Sequence, residues 1–210
     1  MSEFAISAFT TLIVTLDPIG LIPLFLSLTS HMSQTERRRT ALWATGIAAA
    51  IMIGFALVGA RLLEQLGISL SAFRIAGGLM LFFTAFEMVF GQRQPMRSPG
   101  SIEETETSDA RAIAAFPLAV PLLAGPGSIT VCILLSGKAG TTIFNQAVLV
   151  GVILVACTLS LGLFLAAEPV DRLLGKTGKT VFTRLLGVLL AALAVQFVTD
   201  GLVEILKEVR

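Results

Sequence analysis

Apolar residues in this chain come in long unbroken blocks, at about 4–29, 41–63, 70–90, 112–136, 143–166 and 181–203. Each block exceeds the ~17 residues that a helix, rising ~1.5 Å per residue, needs to cross a bilayer's hydrocarbon core. In lipid, a helix satisfies all its backbone groups within one segment. The pattern therefore predicts an all-α, polytopic membrane protein of about six spans. The joints between blocks are short and polar, except for Gly91–Arg111, GQRQPMRSPGSIEETETSDAR. That stretch is rich in Gly, Pro, Ser, Thr and Glu and reads as a solvated linker. It divides one integral membrane domain into residues 1–90, the linker 91–111, and residues 112–210, with three spans on either side.

Two blocks are interrupted at matching places. The first carries Asp17-Pro18-Ile19-Gly20-Leu21-Ile22-Pro23, and the fourth carries Pro121-Leu122-Leu123-Ala124-Gly125-Pro126-Gly127-Ser128. Asp17 lies ~20 Å along its run, near the midplane, where a carboxylate is most costly. Pro18 lacks an amide hydrogen and its ring clashes with the preceding turn. The expected solution is two half-helices, with Asp17 as N-cap and Pro18 as the first residue of the second. Gly125 and Pro126 stand in the same relation to the fourth block.

A weak internal repeat accompanies the breaks. Phe73-Arg74-Ile75-Ala76-Gly77 in the third block recurs as Thr183-Arg184-Leu185-Leu186-Gly187 in the sixth, and Leu66-Gly67 recurs as Leu174-Gly175. Three spans per half is an odd number, so the second half would enter the membrane upside down. The reading is a 3+3 inverted-topology repeat with broken first and fourth spans, an architecture of secondary transporters that bind substrate at the midplane. Gly46-xxx-Ala50-xxx-Gly54 and Gly187-xxx-Ala191 read as close helix-packing faces.

Composition agrees: 55% hydrophobic and 14% charged residues, with a mean hydropathy of +0.88. These values lie outside the soluble globular range. The net charge of +1 says little, but its placement says more. Alternate joints hold nine basic residues (Arg37, Arg38, Arg39, Arg93, Arg97, Arg111, Arg172, Lys176, Lys179) against four (Arg61, Lys138, Lys207, Arg210) on the other side. The first set is expected in the cytoplasm, which leaves both termini outside. Met1-Ser2-Glu3 lacks a signal peptide's basic start, so the first block reads as a retained span. No basic arm points to nucleic acid. Cys132 and Cys157 lie inside apolar blocks at no metal-binding spacing and read as small buried hydrophobes.

The candidate chemistry gathers at the breaks. Half-helix N-termini starting at Pro18 and Pro126 would meet near the midplane from opposite sides, each with unpaired N–H groups and a partial positive charge. Gly20, Gly125 and Gly127 bare the backbone, Ser128 and Thr130 add hydroxyls, and a small carboxylate would be well received. Asp17 could accept a substrate ammonium or bind H⁺ or Na⁺; the plainer alternative is a helix cap. Pro23 completes the first motif. Secondary candidates are Glu87, Gln196, which with Thr199 could line a cavity, and Arg74 and Arg184, which can snorkel to the interface. No cluster for nucleophilic, acid–base or metal chemistry can be assembled, so neither enzyme activity nor a cofactor beyond a coupling ion is expected.

At Asp17-Pro18-Ile19-Gly20-Leu21-Ile22-Pro23 and Ala124-Gly125-Pro126-Gly127-Ser128-Ile129-Thr130 the chain resembles the MarC family, small bacterial and archaeal inner-membrane proteins also classed as neutral amino-acid transporters. The resemblance runs from Phe4 to Leu206. It implies transport of a small zwitterion such as glycine, alanine or serine, coupled to H⁺ or Na⁺. Similarity in plan to the lysine-exporter superfamily keeps export of amino acids or related metabolites as an alternative. A channel or non-transporting scaffold is a further one, and homo-oligomerisation is left open. A thiol carrier would want a cysteine near each break, whereas both cysteines here fall in the second half.

Overall fold

In a computed structural model of the chain, residues 2–90, 110–140 and 142–208 are described, and they form helices and turns with no strand among them. Helices α1 (Ser2–Leu16) and α2 (Pro18–Leu28) make the first span, Glu3–Leu28. Helices α3 (Gln34–Gln65), α4 (Leu70–Phe90) and α7 (Ile143–Leu165) each have the length and hydropathy to cross a membrane, as does Thr177–Lys207 of α8 (Ala167–Glu208). A bent pair, Ala110–Leu123 with Pro126–Ala139, meets at 60° and makes a sixth candidate when its two halves are counted as one span. The described helices thus offer five to six candidate spans, in line with the expected number of about six. The linker lies outside the described residues except for Ala110 and Arg111, which open the short helix α5 (Ala110–Ile113).

The first half of the fourth span departs from the expected half-helix. Between α5 and α6 (Pro126–Ala139), the segment Ala114–Leu123 contains two residues in extended conformation, Phe116 (φ −139°, ψ 125°) and Val120 (φ −127°, ψ 125°). Each immediately precedes a proline, Pro117 and Pro121, whose Cδ disfavours the helical region for the residue before it. The turns widen, and the Ala124 amide donates five residues back to the Ala119 carbonyl at 2.8 Å. α6 then begins at Pro126 with Gly125 as its cap residue.

Helices α4 and α8 pack antiparallel along most of α4, made possible by glycines. A Cβ added at Gly78 would lie 2.8 Å from the Ala194 carbonyl, and one at Gly201 would lie 2.8 Å from the Ser71 carbonyl. One at Gly187 would lie 2.9 Å from the Met88 Cβ, so the Gly187 face packs as expected. The Gly46-xxx-Ala50-xxx-Gly54 face does not. All three residues are exposed, and nothing lies within 4 Å of a Cβ added at either glycine. The inward face of α3 is instead Ala41, Ala44, Ala48, Met52, Ala56 and Gly59. Small residues on two faces of one helix cannot be ranked by spacing alone.

The helices pair in a regular way. α3 packs on α6 as α7 packs on α2, α4 on α6 as α8 on α2, and α3 on the Pro-rich segment as α7 on α1. The turn before α4 and the break inside α8 match too: Gly67 (φ 69°) and Gly175 (φ 60°) both take the left-handed conformation that glycine accepts without steric cost. Phe25 of α2 stacks on Phe164 of α7 with ring centroids 4.8 Å apart, inside the shared apolar core.

Candidate functional site

Asp17 is the single residue between α1 and α2, and it serves both. Its amide donates to the Ile13 carbonyl at 3.0 Å, and its carbonyl accepts from Leu21 at 3.1 Å. Its backbone is left-handed (φ 43°, ψ 55°), a conformation that Asp and Asn tolerate better than other side-chain-bearing residues. The side chain turns forward as the N-cap of α2 and accepts from the Gly20 amide at 3.1 Å. Pro18 follows as the first helical residue, where the missing amide hydrogen costs nothing. The cap arrangement expected from sequence is therefore present, and the carboxylate-bearing residue is fully buried.

Close contacts explain the glycines around it. A Cβ on residue 20 would lie 2.0 Å from Asp17 Oδ2, so only glycine lets the carboxylate fold over this turn. In the fourth span, a Cβ at Gly125 would lie 2.4 Å from the Pro121 carbonyl. At Gly127 it would lie 2.7 Å from Leu81 of α4 and 3.5 Å from the Thr15 methyl, two residues before Asp17. The two breaks therefore abut, with Thr15 and Gly127 at the contact. Ser128 and Thr130 are buried beside them. Thr130 packs on α4, where a Cβ at Gly77 would lie 1.9 Å from its methyl group. In this conformation the bared backbone of α6 is covered by Leu81.

Open volume lies one turn further along α2. A cavity of about 180 Å³ is lined by Gly20, Pro23, Glu87, Met88, Lys179, Thr180, Thr183 and Arg184. Its inner wall includes Gly20, whose amide holds the Asp17 carboxylate. Pro23 lies within α2 and has no amide hydrogen, which removes the intrahelical bond that the Ile19 carbonyl would accept. Lys179 is ion-paired with Asp171 across the Gly175 break in α8.

The secondary candidates separate. Glu87 and Arg184 come to this cavity. Arg74 does not reach the interface in the open; it is buried and pairs with Glu204 of α8 at 2.7 Å. Gln196 is exposed on the outer face of α8 and donates to Asp200 Oδ1 at 2.6 Å, so it lines no cavity with Thr199, which is also exposed. Lys179, which reads from sequence only as a loop charge, and Thr180 are not legible there as cavity residues because they precede the sixth apolar block. Helical structure continuing back through Thr177 is what carries them to α2.

The comparisons agree with this architecture. The profile described as "MarC family integral membrane protein" matches residues 2–206. A UPF0056 membrane protein of Archaeoglobus fulgidus is 37% identical over 202 residues, 96% of this chain and 93% of the relative. One from Aquifex aeolicus is 37% identical over 217 residues, 99% of this chain and 97% of the relative. The UPF0056 inner membrane protein MarC of Escherichia coli O1:K1 is 34% identical over 199 residues, 91% of this chain and 90% of the relative. No solved structure matches the chain. With a whole-length profile match and relatives covered almost end to end, the chain belongs to the MarC family of integral membrane proteins.

Proposed function

We propose that the protein is a secondary transporter of small neutral amino acids, coupled to H⁺ or Na⁺ and working by alternating access around Asp17 and the start of α6. One observation carries the reading: two interrupted spans abut at their breaks, and one break holds a fully buried carboxylate. A helix cap needs only a neutral oxygen, which Ser or Asn supplies. A carboxylate buried in a span is expensive and suits a group that exchanges a proton, Na⁺ or a substrate ammonium. The half-helix starts at Pro18 and Pro126 favour a carboxylate partner. Together these are the two ends of a zwitterion.

The reciprocal helix pairing, together with the matched left-handed Gly67 and Gly175, supports an inverted 3+3 repeat. In such a repeat, one half rocks on the other about the shared breaks. The cavity along α2 would be the open side of that cycle and the Leu81–Gly127 contact the closed one. The bias of basic residues supports a cytoplasmic position for the cavity end of the bundle. The test is counterflow in proteoliposomes with labelled glycine, alanine and serine under imposed pH and Na⁺ gradients. A carrier shows trans-stimulation by unlabelled substrate and accumulation driven by one gradient. A pore or scaffold shows neither.

A further inference from the structure

Glu87 of α4 and Arg184 of α8 line the same small cavity, yet neither has an ion-pair or hydrogen-bond partner among the described residues. Gly187 packs against Ala85, Met88 and Val89, which sets Glu87 and Arg184 at about the same depth on neighbouring antiparallel helices. Opposite charges at one level gain by pairing when they can meet, more so as water is excluded. Here they flank open space instead. Lys179, the other cation at the cavity, is already engaged by Asp171. Thr183 adds a half-buried hydroxyl beside Arg184.

We propose that this cavity is a vestibular binding site for a free α-amino acid, distinct from the site at the breaks, with Glu87 receiving the ammonium and Arg184 and Thr183 the carboxylate. This rests on the transport reading above and adds to it a second stop on the substrate's path. Size supports a small ligand: about 180 Å³ lies below the ~300 Å³ at which drug-sized pockets begin. Position supports it too, since Gly20 links the cavity wall to the Asp17 carboxylate. A zwitterionic lipid headgroup offers the same pair of charges, an ammonium and an anion, and the experiment separates the two sources.

The experiment uses Thr180→Cys, at the cavity wall but outside the proposed ligand contacts, as a reporter in inverted membrane vesicles, with Cys132 and Cys157, both buried, as the unlabelled background. Modification by an impermeant thiol reagent is timed with and without saturating alanine, and alanine transport by the same protein is measured alongside. The expected result is a slowing of about fivefold or more by alanine, abolished by Glu87→Gln and by Arg184→Gln. Arg184 is exposed, so its variant keeps the test available if Glu87→Gln does not fold. Alanine transport without protection, or protection that survives both variants, overturns this proposal and leaves the transport reading standing. Neither transport nor protection overturns both. Slowing that follows phosphatidylethanolamine content in reconstituted vesicles and ignores alanine assigns the cavity to a lipid headgroup, which also overturns the proposal.

Discussion

The carboxylate of Asp17 occupies the volume that any side chain at Gly20 would need: a Cβ there would lie 2.0 Å from Oδ2, while the Gly20 amide bonds Oδ1 at 3.1 Å. The two residues are one device. The missing side chain lets the carboxylate lie against the first turn of α2, and the bared amide fixes it there.

Gly20→Ala should therefore expel the carboxylate from its seat. The expected result is a loss of transport together with destabilisation of ~1–3 kcal/mol, the usual range for overpacking. Gly46→Ala is the control, because nothing lies within 4 Å of a Cβ at that exposed site. It should be neutral or should stabilise the helix by ~0.5–1 kcal/mol. Thermal unfolding in detergent and uptake assays check both, and a Gly20→Ala protein with wild-type stability and transport would contradict the relationship.

The contact of Gly77 with Thr130 should behave as a coupled pair. Gly77→Ala is expected to cost ~1–3 kcal/mol. Thr130→Ser removes the methyl group that the new Cβ would meet at 1.9 Å and should restore part of the loss. A double-mutant cycle should then show a coupling of ~0.5–3 kcal/mol. Strict additivity would mean that the neighbours of this methyl yield in some other way.

Much of this was legible in the sequence, and the boundary is physical. Long apolar blocks dictate spans whatever packs against them, so the six spans follow from hydropathy alone. Asp17-Pro18 carries its own local geometry, so the cap and the helix start were readable too. The Gly46 face misled because small residues permit close approach without requiring it; only the neighbouring helices decide which face turns inward. From sequence alone Arg74 reads as free to snorkel, because its partner, Glu204, lies 130 residues away. The widened turns at Phe116 and Val120 have a local cause that the sequence carries, in the prolines that follow them.

Orientation is open to direct chemistry. Arg38 and Lys138 are both exposed at helix ends and belong to opposite sets of joints. An impermeant thiol reagent added to intact cells should label Lys138→Cys and leave Arg38→Cys untouched, with the reverse in inverted vesicles. The opposite pattern would place the basic loops outside, and labelling of both from one side would break the alternation on which the inverted repeat depends.

The most direct test falls on the charge of Asp17. Asparagine tolerates the same left-handed backbone and can accept the same bond from the Gly20 amide, so Asp17→Asn keeps the cap and removes only the ionisable group. The measurement is gradient-driven accumulation of labelled alanine in proteoliposomes, alongside exchange at equal concentrations and thermal stability in detergent. Asp17→Asn should fold and insert with stability close to that of the wild type and lose accumulation under both pH and Na⁺ gradients. It should keep some exchange, which need not move the coupling ion. Wild-type accumulation with unchanged dependence on the driving gradient would contradict the proposal and reduce Asp17 to a helix cap.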